Sequence, residues 1–237
     1  MSLPVRLPAA ALLAVVTVGL AGCGDDVGGG SLSQAQDYAK HSGSAIAADA
    51  RKAMRSLDTM HVAGELSQDG NTVSVDLSVS GTGECTGTIG VGAGSIELRS
   101  VGGRAWYRAD EAFWRVEAPD QAAEIARKVH GRWVPLAGQL ASLRGFCSID
   151  TLTDQMLSSS ATIEAAGAAM VGTRPVVRLA VEEGGTTTTA YVDAAEPHHV
   201  LRMTRGKQGD LAFSDFDEKF TVDAPDPKDV FKLKKLD

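Results

Sequence analysis

Val73-Ser74-Val75-Asp76-Leu77-Ser78-Val79-Ser80 (residues 73–80) is the stretch that decides the fold. Its Val and Leu residues alternate with Ser and Asp residues at a period of two. Because successive side chains of a strand point to opposite faces, the stretch predicts a β-strand with one apolar and one solvated face. Antiparallel sheets that are covered on one side have this pattern. We therefore expect an antiparallel sheet with helices on its apolar face.

Further strands are expected before and after a middle region, about residues 119–157, in which the sequence indicates helices and loops instead. Turn signals join them, at Gln68-Asp69-Gly70-Asn71 and at Glu183-Gly184-Gly185, and both have the composition of hairpin turns. The predicted strands are 61–67, 86–91, 95–101 and 104–109 before the middle region, and 161–166, 176–182, 186–192, 200–204 and 211–216 after it. Strands connected in order predict a meandering sheet.

Helices are expected before the first strand and between the two groups of strands. Ser31 or Ser33 is positioned to cap one long helix that runs to about Leu57, with apolar residues at helical spacing. In the middle region, Pro119 opens a helix over 120–130, and 133–157 reads as more helix and loop. The predicted fold class is α+β, a curved antiparallel sheet or half-barrel whose concave face is covered by helices.

The N-terminus resembles that of a bacterial lipoprotein. Arg6 precedes an uncharged apolar run over 7–20, and Leu20-Ala21-Gly22-Cys23 is similar to a lipobox. The run has about 14 residues, fewer than the roughly 20 that a membrane-spanning helix needs. The resemblance implies that residues 1–22 are a signal peptide and that Cys23 is lipidated. It also implies that 23–32 is a flexible tether, that 33–237 is a single domain, and that the exported protein is anchored by lipid to the outer face of the cell membrane.

The lipobox also accounts for the odd number of cysteines. With Cys23 acylated, Cys85 and Cys147 remain, and export places them in an oxidising compartment where two thiols usually pair. A disulfide that closes a loop of about 60 residues stabilises a fold by roughly 4 kcal/mol in the chain-entropy model. We expect this disulfide, since the chain has no CxxC motif that would indicate a metal or redox site.

The layout of the chain resembles the LolA-like superfamily of envelope lipoproteins, including LppX/LprG-type lipid carriers. The similar segments are His61-Val62-Ala63-Gly64, the strand and turn Glu97-Leu98-Arg99-Ser100-Val101-Gly102-Gly103, and Glu196-Pro197-His198-His199-Val200 after Tyr191-Val192-Asp193. The resemblance implies that a lipid or acyl chain is held between the sheet and the helices. The pair Cys85 and Cys147 departs from the general family pattern.

The candidate ligand-binding residues are apolar side chains that are expected on the inward face. They are Val73, Val75, Leu77, Val79, Ile96, Leu98, Trp106, Val177, Leu179 and Val181. The alternative for each is ordinary core packing, which the sequence does not distinguish from a lined cavity. Trp106, Phe113, Trp114 and Trp133 have two interpretations, a pocket mouth or membrane-facing rim, and packing of the middle region on the sheet.

Other kinds of site are not indicated by the sequence. The net charge of −7 disfavours nucleic-acid binding, and the only basic cluster is Lys232, Lys234 and Lys235. His198 and His199 are neighbours whose side chains point to opposite faces of a strand, so we expect no metal site there. No serine lies in a GxSxG motif and no glycine-rich phosphate loop is present. We expect no cofactor and no enzymatic activity.

Three functions follow in order of preference. The first is a membrane-anchored lipoprotein that binds a hydrophobic ligand, a lipid or glycolipid, for transport or sensing at the cell envelope. The second is a protein-interaction or sensor module with an envelope protein as partner and no lipid cargo, which a wide apolar outer patch would favour. The third is a hydrolase of unrecognised type, which convergent polar groups in one cleft would favour.

Overall fold

A computed structural model describes residues 31–68 and 70–232. The predicted signal peptide 1–22, the lipidation site Cys23 and the tether up to residue 30 lie outside the described residues. Asp69 of the first predicted turn and the terminal lysines Lys234 and Lys235 also lie outside them.

Eleven strands are found in this part of the chain. They are β1 (Thr59–Gln68), β2 (Asn71–Ser80), β3 (Cys85–Val91), β4 (Gly94–Val101), β5 (Arg104–Ala109), β6 (Val134–Pro135), β7 (Thr162–Val171), β8 (Arg174–Glu183), β9 (Thr186–Asp193), β10 (Val200–Thr204) and β11 (Gly209–Ser214). Each predicted strand is present, and β7 extends five residues beyond the predicted end at residue 166. The short β6 was not predicted.

The strands form one sheet with the order β6-β5-β4-β3-β2-β1-β11-β10-β9-β8-β7. Every neighbouring pair is antiparallel. The first group of strands and the last group are two meanders that meet where β1 pairs with β11. The terminal strands β6 and β7 do not pair with each other, so the sheet stays open.

Two glycines inside strands allow the sheet to bend. Gly64 in β1 has φ +146° and Gly87 in β3 has φ +150°. A Cβ atom at Gly64 would lie 2.0 Å from the carbonyl oxygen of Asp210, and one at Gly87 would lie 2.0 Å from that of Asp76. Only glycine tolerates these conformations, and glycine inside a strand is typical of a sharp bend in a curved sheet.

Five α-helices accompany the sheet. They are α1 (Leu32–Tyr38), α2 (Gly43–Arg55), α3 (Glu111–Glu117), α4 (Ala122–Val129) and α5 (Ile149–Met156), with 3₁₀ segments at Gly138–Cys147 and Pro227–Asp229. The predicted single helix from Ser31 or Ser33 to Leu57 is wrong, because α1 ends at Tyr38 and α2 starts afresh. Ser42 caps α2 by accepting a hydrogen bond from the Ala45 N–H (3.2 Å). Gly43 packs so closely on β7 that a Cβ would lie 2.5 Å from the Ile163 carbonyl oxygen.

Helix α3 was not predicted, although Asp110 is a good N-cap residue. Its Oδ1 accepts a hydrogen bond from the Phe113 N–H (2.6 Å), and its Oδ2 accepts one from the Ser95 hydroxyl (2.8 Å). The helix lies against β4 at Gly94, where a Cβ would be 2.1 Å from the Phe113 nitrogen. The start of α3 is therefore fixed by a strand that is 15 residues away in sequence.

The inward face of the sheet and the helices together enclose the core. Leu77, Leu98 and Leu179 are fully buried on the strands, and Ile46 and Met54 are fully buried on α2. Helix α2 packs on β7, β8 and α5, and α3 packs on β3 and β4. The fold is the predicted α+β half-barrel with helices over one face.

Candidate functional site

A cavity of about 280 Å³ lies between the middle of the sheet and its helical cover. Its sheet side is lined by apolar side chains of β1, β2, β8, β10 and β11: Val62, Leu66, Val75, Val181, Met203, Leu211 and Phe213. The cover is formed by Phe146, Leu152 and Met156. From Val62 to Leu66 the cavity follows β1 for about 13 Å at the usual rise of a strand.

Helix α5 is held over the cavity by its contacts with α2. Arg55 of α2 forms an ion pair with Asp154 of α5, and the Arg51 guanidinium donates a hydrogen bond to the Leu157 carbonyl (3.1 Å). Ser148 caps the start of α5 by accepting a hydrogen bond from the Thr151 N–H (3.1 Å). The cover is thus attached to a helix that is itself packed on the sheet.

The disulfide fastens the same cover from its other end. Cys85 at the start of β3 is bonded to Cys147, with Cα atoms 5.2 Å apart. Both residues are buried, and Cys147 directly follows Phe146, which lines the cavity. The predicted pair is therefore joined in the structure, and it fixes the 3₁₀ segment Gly138–Cys147 against the sheet.

The exposed residues of the cavity lining lie beside two hairpin turns at one end of the sheet, and we call this part of the cavity its mouth. The exposed residues Glu183 and Thr186 belong to the turn between β8 and β9, and Arg205 directly follows β10. The other polar lining residues are Gln155, Thr188 and Thr204. The site thus has an apolar interior and a polar mouth, which is the usual composition of a small-molecule site.

The two charged residues at the mouth, Glu183 and Arg205, differ in whether other side chains contact their charged groups. The hydroxyls of Ser160 and Ser158 donate hydrogen bonds to Glu183 Oε1 (2.6 and 2.8 Å) and lower the pKa of this carboxyl group. Within residues 31–68 and 70–232, Arg205 has no ion-pair partner within 4.0 Å. Arg205 is the cationic residue of the cavity lining.

The structure divides the predicted ligand-binding residues into three groups. Val75 and Val181 line the cavity. The second group is buried in the packed core beside it and consists of Leu77, Val79, Ile96, Leu98, Val177 and Leu179; Val73 is partly buried against the same core. Trp106 lies on the opposite face of the sheet, because it is one residue out of phase with Ala105 and Tyr107, which belong to the core.

The four predicted aromatic residues near the middle region are all buried. Phe113 and Trp114 pack in the core with ring centroids 5.3 Å apart. On the outer face, the guanidinium groups of Arg99 and Arg108 lie 4.5 and 4.8 Å from the Trp133 ring centroid. These contacts correspond to the packing interpretation, and none of the four residues lines the cavity.

Sequence reasoning missed most of the cavity lining. Val62 and Leu66 lie two residues on either side of Gly64, and Leu211 and Phe213 are separated by one residue. These spacings show which residues share a face, and they are the signal in the sequence that could have identified them. The cover residues have no such signal, since they come from a 3₁₀ segment and a short helix.

The two adjacent histidines contact different aromatic rings. His198 stacks on Tyr38 with centroids 4.2 Å apart, and His199 lies 4.3 Å from Phe216. Burial is the main cause that lowers the pKa of His199. Among the described residues, no three His, Cys, Asp or Glu side chains are grouped as a metal site would require.

A row of three polar residues on the outer face was not predicted. The Ser214 hydroxyl is 3.5 Å from His61 Nδ1, and His61 Nε2 is 2.9 Å from Asp76 Oδ1. The row crosses β11, β1 and β2 in the middle of the sheet, where the strands pair in register.

Within the described part of the chain, no helix has both the length and the apolar composition that a membrane span requires.

No family model matches the chain, and no curated protein matches it. The chain resembles LppX and LprF in fold. The similarity to the lipoprotein LppX of Mycobacterium tuberculosis covers 76% of this chain and 99% of LppX, with 16% identity and a TM-score of 0.46. The similarity to LprF of Mycobacterium bovis covers 84% of this chain and 99% of LprF, with 16% identity and a TM-score of 0.46.

A third similarity is to a chain of the Pseudomonas aeruginosa MucA/MucB complex. It covers 78% of this chain and 59% of that one, with 17% identity and a TM-score of 0.38.

Proposed function

We propose that this protein is an exported lipoprotein, anchored through Cys23, that binds a hydrophobic ligand at the cell envelope for transport or sensing. The observation that carries the proposal is the apolar cavity of about 280 Å³ with a polar mouth. Apolar ligand surface that enters such a cavity leaves water, which releases about 25 cal/mol per Å². An apolar cavity that stays empty lowers stability.

The protein-interaction alternative has less support. It predicts a wide apolar patch on the outside of the molecule. In the described residues, the large apolar side chains that are exposed are Leu32, Val116 and Met170, on α1, α3 and β7. Single exposed apolar residues are ordinary on protein surfaces, whereas a cavity with an apolar interior and a few polar groups has the usual composition of a ligand site.

The ligand proposal is tested with the chain from residue 23 onward carrying Cys23→Ser. Native mass spectrometry of this protein, exported to a bacterial periplasm behind a separate cleavable secretory signal, should show a bound lipid. Val75→Phe places a larger side chain in the cavity and should reduce the bound fraction about tenfold or more, since an overpacked site excludes its ligand. Val73→Phe is the matched control, because Val73 lies on the same strand and face but does not line the cavity.

Two results would contradict the proposal. One is a protein that repeatedly carries no lipid and takes up none from added palmitate. The other is lipid binding that Val75→Phe leaves unchanged, because the cavity would then not be the binding site.

The anchor is tested separately in cells. Residues 20–23 support lipidation of Cys23, so a labelled fatty acid should be incorporated into the wild-type chain and not into Cys23→Ala. Equal labelling of both chains, or of neither, would contradict the anchor while leaving the cavity proposal untouched.

A further inference from the structure

The mouth of the cavity combines a cation with several hydrogen-bonding side chains. Arg205 and Thr204 lie at the end of β10, and Thr186 and Thr188 lie on β9. Thr188 faces Val181 directly across the β8–β9 pair, so its side chain is on the cavity side of the sheet. Guanidinium and hydroxyl groups are the side chains that hold carboxylates and phosphates by charge-assisted and neutral hydrogen bonds.

Neighbouring charges leave Arg205 as the cation that is available at the mouth. Arg202 forms an ion pair with Asp210. Lys207 lies in the β10–β11 turn and lines a second groove, and it is not among the residues that line the cavity. Glu183 is also at the mouth, but its Oε1 accepts hydrogen bonds from Ser158 and Ser160.

The size of the cavity limits the number of chains that enter it. Its volume of about 280 Å³ is just below the roughly 300–1,000 Å³ of typical small-molecule sites. The interior is apolar and lies between β1, β11 and α5, with Phe146 and Met156 on its helical side. One hydrocarbon chain fits this volume better than the two or three chains of a membrane lipid.

From these observations, and resting on the proposed function, we infer that the ligand is a single-chain amphiphile with an anionic oxygen headgroup. The chain lies among Val62, Val75 and Phe213, and the carboxylate or phosphate lies at the mouth against Arg205. A free fatty acid and a lysophospholipid share this chemistry. Arg205 thereby selects the headgroup, while the apolar wall supplies most of the binding free energy.

The test compares ligands that differ in headgroup charge. Binding of palmitate, palmitoyl lysophosphatidic acid, neutral monopalmitoylglycerol and two-chain phosphatidylglycerol is measured by calorimetry on the delipidated Cys23→Ser chain. The two single-chain anions should bind about tenfold or more tightly than monopalmitoylglycerol, because charge-assisted hydrogen bonds are about twice as strong as neutral ones. Whichever of the two anions binds with the lower Kd shows whether the natural headgroup is a fatty-acid carboxylate or a lysophospholipid phosphate.

Arg205→Gln and Lys207→Gln are the matched pair of variants. Arg205→Gln should weaken palmitate binding about tenfold and leave monopalmitoylglycerol unchanged, whereas Lys207→Gln should change neither, since one cation faces the cavity and the other does not. Glu183→Gln should tighten palmitate binding, because it removes a negative charge from the mouth.

The outcomes separate this inference from the proposed function. Equal binding of charged and neutral single-chain lipids, or equal effects of Arg205→Gln and Lys207→Gln, overturns the headgroup inference while the cavity remains a lipid site. Preferred binding of phosphatidylglycerol overturns the single-chain inference. Binding of none of the four lipids overturns the proposed function itself.

Discussion

Cys85 and Cys147 connect the sheet to the cover of the cavity. Their Cα atoms are 5.2 Å apart, and the residue before Cys147 is Phe146, which lines the cavity. The bond therefore holds the 3₁₀ segment Gly138–Cys147 at the position where Phe146 closes the apolar space.

Removal of this disulfide should lower both stability and ligand affinity. The double substitution Cys85→Ala and Cys147→Ala frees a loop with a sequence separation of 62 residues, and the chain-entropy model gives a loss of roughly 4 kcal/mol in the free energy of unfolding. Urea unfolding of the Cys23→Ser chain, with and without the two substitutions, measures this difference. An unchanged urea midpoint would show that the contacts between α5 and α2 are enough to hold the helical cover in place.

Substitution of Gly64 by alanine should destabilise the sheet. A Cβ there would lie 2.0 Å from the Asp210 carbonyl oxygen, and the φ of +146° disfavours any side chain. We expect a loss of about 2 kcal/mol or more in the free energy of unfolding. Gly145→Ala is the control, because its Cβ would meet only the Thr151 side chain at 3.4 Å. Equal effects of the two substitutions would contradict the role of Gly64 in bending the sheet.

Ligand binding should raise the thermal stability of the folded chain. A ligand that binds the native state alone, at a free concentration of about 100 times its Kd, adds roughly 2.7 kcal/mol to the free energy of unfolding. Added palmitate should therefore raise the Tm of the delipidated protein and of Val73→Phe, and not that of Val75→Phe. A shift of the same size in all three proteins would show that palmitate acts outside the cavity.

Stability should decrease in mildly acidic solution because of His199. Burial lowers the pKa of His199 in the folded chain, and this is the largest of its influences. The unfolded chain binds the proton more readily, so the contribution is complete above the unfolded pKa of about 6.5 and is lost as the pH falls from there towards the lowered folded value. The nearby charged or titratable groups are Asp217, Arg174, Asp193 and His198.

The pH prediction is measured by urea unfolding at about pH 7.5 and about pH 5.5, on either side of the ordinary histidine pKa. His199→Gln should reduce the difference in unfolding free energy between the two values. His130→Asn should leave it as in the parent chain, because His130 is exposed. A difference that His199→Gln does not alter would assign the acid sensitivity to other groups.

Much of the sheet could be predicted because its strands carry a local signal. The alternation in 73–80 identified β2, and glycine-containing turns identified the β1–β2 hairpin before it and the β8–β9 hairpin later in the chain. The break between α1 and α2 could not be predicted in this way. Ser42 caps α2 at this break, and Gly43 lies against the backbone of Ile163, 120 residues later, a contact that no pattern within the helix reports.

The candidate site was predicted less well for the same physical reason. The inward-facing residues were identified by their alternation along each strand. However, Leu77 and Leu98 pack in the solid core, whereas Val75 lines the cavity. Whether an inward-facing residue is packed or lines the cavity depends on the distance between its strand and the helical cover. Met156 and Phe146 determine that distance, and they are joined to the sheet by α2 and by the disulfide.

By itself, the sequence determined the succession of strands along the chain, the face of each strand that is apolar, and the expectation of a lipid anchor at Cys23. These are local properties, because side-chain direction alternates along a strand and a processing site is read from adjacent residues. Only the tertiary structure decided that Val62, Val75 and Phe213 border open space and that Arg205 lies at its mouth. Cavities arise where elements distant in sequence fail to fill the volume between them, and that volume is a property of their packing.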